Sequence, residues 1–184
     1  MRHQADNTSS DRVSRVTFFS QGNQIGPPGY DFVPGCTLSD FNHYLDTYED
    51  TIFCFLSARD NPAMSSEDVE FVAGFLNDNP SFGAVYTDIF TNNQRTIIDY
   101  YPFFQHQTIT RKILNIPFFY KPTDKIKPHF DTQFEYLGFN DFLQGLLGKS
   151  MLYHHAKPLF IQHSDNPQLF INDLKISQEK HASC

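Results

Sequence analysis

Apolar and polar positions fall in blocks along the chain, and the blocks have the lengths of strands and helices. The clearest set is Thr51 to Gln94, TIFCFLSARDNPAMSSEDVEFVAGFLNDNPSFGAVYTDIFTNNQ. Thr51–Leu56 is an apolar run of strand length, the pattern of a parallel strand buried on both faces. Val69, Val72, Ala73 and Leu76 then recur at helical spacing with Phe71 and Phe75 beside them. Ser65 and Asp68 offer a reciprocal cap at the start of that helix, and Asn79-Pro80 stops it. Phe82–Phe90 is the next strand, and Asn92-Asn93 turns the chain into Arg95–Tyr101, which pairs with it as a hairpin. These pieces make one β-loop-α-β unit. Its loop, Ser57-Ala58-Arg59-Asp60, lies at the carboxyl end of the first strand, where open α/β sheets place their ligands.

The same pattern extends on both sides. Residues 1–12 are polar and aperiodic, an arm in want of a partner. Val13–Phe19 reads as a strand and is followed by a long loop, QGNQIGPPG, whose glycines and prolines exclude helix and central strand. Thr37 and Asp40 form a second capping pair, and Leu38, Phe41, Tyr44, Leu45 and Tyr48 predict a helix over 38–48. Pro102–Leu114 has no clear pattern. Ile116–Tyr120 suits a strand, Lys121–Pro128 a basic loop, and 139–147 a helix ended by Gly148. Met151–His154 and Leu159–Gln162 read as two short strands on either side of Lys157-Pro158. A tail, 167–184, carries one apolar cluster, Leu169-Phe170-Ile171, suited to docking on the domain or a neighbour. Residues 13–166 therefore make one α/β domain with a mixed, mostly parallel sheet flanked by helices.

Composition narrows the functions. At 184 residues the chain supports one ordinary core. With 20 Phe, 9 Tyr and no Trp, that core is built largely on phenylalanine. The net charge of -7 disfavours nucleic acid and anionic lipid surfaces as partners. Cys36, Cys54 and Cys184 are too few and too scattered for a disulfide framework or zinc knuckle, which fits a reducing compartment. No apolar run reaches membrane-spanning length and the first residues lack a signal-peptide core. The expected location is the cytoplasm, or a particle assembled there.

The order of these pieces resembles the family 2 glycosyltransferases. The stretch FCFLSARDNPAMSSEDVEFVAGFLNDNPSFGAVYTDI is similar to their strand, acidic DxD-type loop, helix, NP stop and GAVY-like strand. FDTQFEYLGFNDFLQGLLGKSMLYHHAKPLFIQHSDN resembles their later segment, and Asn23-x-x-Gly26 resembles an asparagine-glycine loop ahead of the strand. Together these span most of Val16 to Asn166. The set and its spacing carry the likeness, and no single motif is specific. The resemblance implies a GT-A-like fold and transfer of sugar from a nucleotide donor.

It also exposes three departures. The family's loop aspartates hold the sugar nucleotide and a divalent metal, Mn or Mg, which offsets diphosphate charge. Here Ser57 and Arg59 stand at two of those positions and only Asp60 is acidic. The positions matching the catalytic base are Gly138 and Phe139, neither of which takes a proton. The nucleotide-holding half is truncated, since only one strand and a loop precede the helix after Cys36. The favoured expectation is a catalytically degenerate module serving as a binding or structural part of a larger assembly, for example a phage or viral particle, or a homo-oligomer. It needs no cofactor, and Arg59 is then a surface residue. The competing expectation is a metal-independent transferase in which Ser57, Arg59 and Asp60 bind the donor and Asp141 or Asp88 acts as base. A third is a glycan-binding protein without a donor site. His163 matches a late histidine that completes the family's metal site. His154 and His155 are neighbours on a strand and so point to opposite faces.

Overall fold

The computed structural model describes residues 15–91, 94–97, 116–123, 128–134, 138–147, 149–163 and Asp173. The polar arm, the unpatterned 102–114 segment, the Asn92-Asn93 turn, residues 124–127 of the basic loop and the Leu169–Ile171 cluster lie outside the described residues. In chain order the elements are β1 (Arg15–Ser20), β2 (Asp31–Val33), α1 (Leu38–Thr47), β3 (Thr51–Leu56), β4 (Asp60–Pro62), α2 (Ser66–Asp78), β5 (Phe82–Thr91), β6 (Gln94–Thr96), β7 (Phe118–Tyr120), α3 (Gly138–Leu146) and β8 (Met151–Gln162).

The strands form one sheet in the order β2-β1-β3-β7-β5-β8-β4, with β6 paired to β5. From the pairings, β1, β2, β3, β5 and β8 run in one direction and β4, β6 and β7 oppose them. The sheet is thus mixed and mostly parallel, as its apolar runs predict. Every residue of β3 is buried, which is why Thr51–Leu56 shows no polar alternation. The sheet also curls. Leu56 and Asp60 are four residue steps apart, at most about 15 Å, whereas four strand spacings in a flat sheet would separate β3 from β4 by about 19 Å. The short link between them closes that end.

Helices cover both faces. Alternation along β3 and β7 sends Phe53, Phe55 and Phe118 to one face and Cys54 and Phe119 to the other. On the first face, Phe41 of α1 and Phe139 and Phe142 of α3 pack against Phe55, with Phe130 between them. On the second, α2 stacks Phe75 on Tyr153 and Phe71 on His155 of β8. Both capping boxes form. Thr37 Oγ1 accepts from Asp40 N–H at 3.1 Å and Ser65 Oγ from Asp68 N–H at 3.3 Å, and each aspartate accepts from its cap's own N–H.

The structure corrects the reading of two short strands around Lys157-Pro158: Met151–Gln162 is one strand. The β5–β8 ladder runs from Thr87↔His155 directly to Ile89↔Phe160, so 156–159 stand opposite Asp88 alone. This bulge frees Pro158 from the need to donate to the ladder, and the strand resumes beyond it.

Candidate functional site

The loop 57–60 follows β3 because the apolar run ends at Leu56, and it turns at once into β4. Its turn is closed by Asp60 N–H donating to Ser57 O at 3.2 Å. Asp60 is fully buried. Ser57 N–H donates to its Oδ2 at 2.8 Å and Gln162 Nε2 to its Oδ1 at 3.0 Å. Burial pushes its carboxyl up to about 6, while the hydrogen bonds from Ser57 and Gln162 and the charge of Arg59 hold it down. Its charge in turn adds to the burial that raises the Cys54 thiol well above its ordinary range.

Around this aspartate the structure assembles residues from distant parts of the chain. Gln24, on the loop after β1, donates from Nε2 to Ser57 O at 3.1 Å and accepts from Ser20 Oγ at 2.6 Å. Two residues on, Gly26 is required by close approach, since a Cβ there would lie 2.3 Å from the Phe32 ring. Antiparallel pairing of β4 with β8 places Asp60 opposite Gln162 and Asn61 opposite Ile161. His163 N–H then donates to Arg59 O at 3.0 Å, and the His163 Nε2 lies 2.7 Å from Asn61 Nδ2.

Ser57, Arg59, Asp60 and His163 thus lie at one end of the sheet, linked through β4 and β8. Arg59 differs from expectation: it is half-buried, and both terminal guanidinium nitrogens are shielded from solvent. It is not the surface residue read from the sequence. Among the described residues, no three His, Cys, Asp or Glu side chains converge as metal ligands.

Asp88 and Asp141 belong to other surroundings. Asp88 is fully buried at the β5–β8 bulge, where Arg95 Nε and Nη2 reach its Oδ2 at 2.9 and 2.5 Å and His154 Nε2 lies 2.8 Å from its Oδ1. Arg95 also donates to Ala156 O, inside the bulge. Thr91, three residues after Asp88, is the position level with Gln162, so Asp88 stands about 10 Å down the strand from Asp60's level. It clamps the bulge. His154 and His155 point to opposite faces, His154 stacking on Tyr86 and His155 on Phe71.

Asp141 stands half-buried in the first turn of α3. The two positions matched to the catalytic base are filled by packing. A Cβ on Gly138 would lie 2.6 Å from Leu38 Cδ1, and Phe139 is buried against Phe41, Phe55, Phe118 and Phe130. Sequence reasoning did not find Gln162, Gln24, Asn61 or Arg95. Amides and a lone arginine carry no spacing signal, and each becomes meaningful only when the sheet closes.

No protein-family model matches this chain, and no curated protein matches it in sequence. Among solved structures it is similar to residues 1–349 of TarS from S. aureus, a glycosyltransferase. The TM-score is 0.51 at 12% identity, over 85% of this chain and 62% of that one. The chain thus spans about three fifths of the TarS structure's length. At this identity the likeness speaks for the fold, which is glycosyltransferase-like and consistent with a GT-A-like domain. No helix among the described residues is long and apolar enough to cross a membrane.

Proposed function

We propose that this is a glycosyltransferase-like module without metal-dependent transfer activity, serving as a binding or structural part of a larger assembly. The observation that carries this reading is the state of Asp60. The one acid left in the loop is wholly buried, with one carboxylate oxygen held by Ser57 N–H and the other by Gln162. A carboxylate in that position fastens the loop to β8. It is not presented to a metal or a diphosphate, both of which need oxygens directed into an open site. The close approach of the Leu38 side chain to Gly138 and the packing of Phe139 support the same reading, since neither position carries a group that can take a proton.

The buried guanidinium of Arg59 beside Asp60 favours a second reading, in which a fixed cation replaces the metal in donor binding. Calorimetry with UDP-glucose, UDP-N-acetylglucosamine and GDP-mannose, each with and without Mn²⁺, separates the two. The first reading expects no heat of binding in either condition. Metal-independent binding that is lost in Arg59→Ala would establish the second reading, and metal-dependent binding would overturn both.

A further inference from the structure

The strand β4 is last in the sheet order and, among the described residues, pairs with β8 alone, over three residues. One of the three is Pro62, which has no N–H to give. Two backbone bonds flank the ladder, from Ala63 N–H to Leu159 O at 2.8 Å and from His163 N–H to Arg59 O at 3.0 Å. We propose that Ser57–Ala63 is a strap that opens from β8 as a unit while the rest of the sheet stays closed, and that ionisation of Asp60 drives the opening.

Burial along the segment is what makes a separate opening inexpensive. Between Leu56 and Met64 the buried residues are Ser57 and Asp60, both polar, while Asn61 and Pro62 are half-buried and Ala58 and Ala63 exposed. Lifting the strap therefore uncovers no fully buried apolar side chain. Lifting β7, a strand of the same length, would uncover Phe118, Phe119 and Tyr120, all buried. Segments with little apolar burial open locally, without global unfolding. Both ends of the strap are anchored, since Leu56 is fully buried at the end of β3 and Met64 packs against the core.

Charge supplies the trigger. In the closed strap the Asp60 carboxylate has exchanged water for hydrogen bonds from Ser57 N–H and Gln162 Nε2. Opening returns water to the carboxylate, whereas a protonated carboxyl gains much less by leaving. Around it stand Arg59 on its own turn, the protonated Cys54 thiol of β3 and the neutral amide of Gln162 on β8, with the His163 imidazole further out against Asn61. Burial outweighs these partners and raises the carboxyl to about 6. The closed form thus holds the proton more tightly: it is fully favoured below about pH 4, and that advantage is lost as pH rises through about 6. Opening brings the Asp60 carboxylate and the Arg59 guanidinium to solvent together, at the carboxyl end of β3.

The strap rests on the reading of Asp60 as the fastener of its loop, but its test is amide exchange, which fails or succeeds independently of nucleotide-sugar calorimetry. Native-state hydrogen exchange of the full chain, followed by NMR and corrected for the intrinsic pH dependence of exchange, reads the opening directly. The Ala63 and His163 amides should be less protected than Cys54 and Phe55 of β3, and low urea should leave their opening unchanged while it promotes that of β3. Their opening constant should be about tenfold or more larger at pH 7 than at pH 4. Asp60→Asn should abolish that pH dependence, and Gln162→Leu, which removes one partner of the carboxylate, should raise the opening at pH 7. The proposal fails if the two amides exchange only together with β3 and with its urea dependence, or if their opening is the same at both pH values. It fails equally if the pH dependence survives in Asp60→Asn, which would assign it to His163, or if Gln162→Leu opens no more than the parent.

Discussion

The aromatic layer beneath α1 and α3 and the Asp60 carboxylate of the loop at Ser57–Asp60 are both buried, yet they are built on opposite logic. In the layer, Phe55 alone meets Phe41, Phe118, Phe130, Phe139 and Phe142, and no one contact is indispensable in kind. Any side chain of similar volume and apolarity would serve, at modest cost. In the loop, Asp60 is satisfied by one particular backbone N–H and one particular amide. Nothing of merely similar size replaces it. A layer of the first kind needs only apolar bulk and a site of the second kind needs particular partners, so a glycosyltransferase-like fold at 12% identity speaks for the layer and not for the loop, which reads Ser-Ala-Arg-Asp.

The largest effect should come from breaking the layer. Phe142 packs against Phe55, Phe118, Tyr120 and Phe130, and Phe142→Ala should cost about 3–5 kcal/mol of stability. Urea unfolding would read this as a lower midpoint at unchanged slope. Phe142→Leu should cost clearly less, and equal losses for the two would mean that the layer depends on ring geometry rather than on volume.

Next comes the loop. The Asp60 carboxyl is raised by burial from 3.8 to about 6. A raised folded value means that the folded chain binds this proton more tightly than the unfolded chain does. Stability from this group is therefore fully present below about pH 4 and lost as pH rises through about 6, a change on the order of 2–3 kcal/mol. Asp60→Asn cannot titrate, so its stability relative to the parent should improve by that amount between pH 4 and pH 7. Urea midpoints of both proteins at the two pH values check this. A constant difference would show that Asp60 does not titrate in this window.

The smallest effect lies where the loop hands over to α2. Ser65 caps that helix reciprocally with Asp68, and Ser65→Ala should cost about 1 kcal/mol. The loss should be uniform from pH 5 to pH 8, which distinguishes a cap from the titrating loop beside it. Thermal melts across that range would decide the matter.

How much of this was legible follows from the range of the forces involved. Both capping boxes, the uniformly buried β3 and the run of α2 were readable because each depends on residues within a few positions of one another. The position of the Ser57–Asp60 loop was readable for the same reason, since an apolar run followed by a polar loop marks the end of a strand. The single strand through Pro158 was not, because a proline reads as a break unless a bulge opposite Asp88 is known to exempt it.

The sequence by itself determined the α/β class and the phenylalanine core. Those are matters of period, composition and residue identity, which need no neighbour from afar. Only the tertiary structure decided what the remaining residues do. Curling of the sheet brings β8 onto β4, so that Gln162 meets Asp60, and the bulge delivers Arg95 and His154 to Asp88. A carboxylate's role depends on whether water or a specific donor surrounds it, and that is settled by residues as far away as 102 positions in sequence.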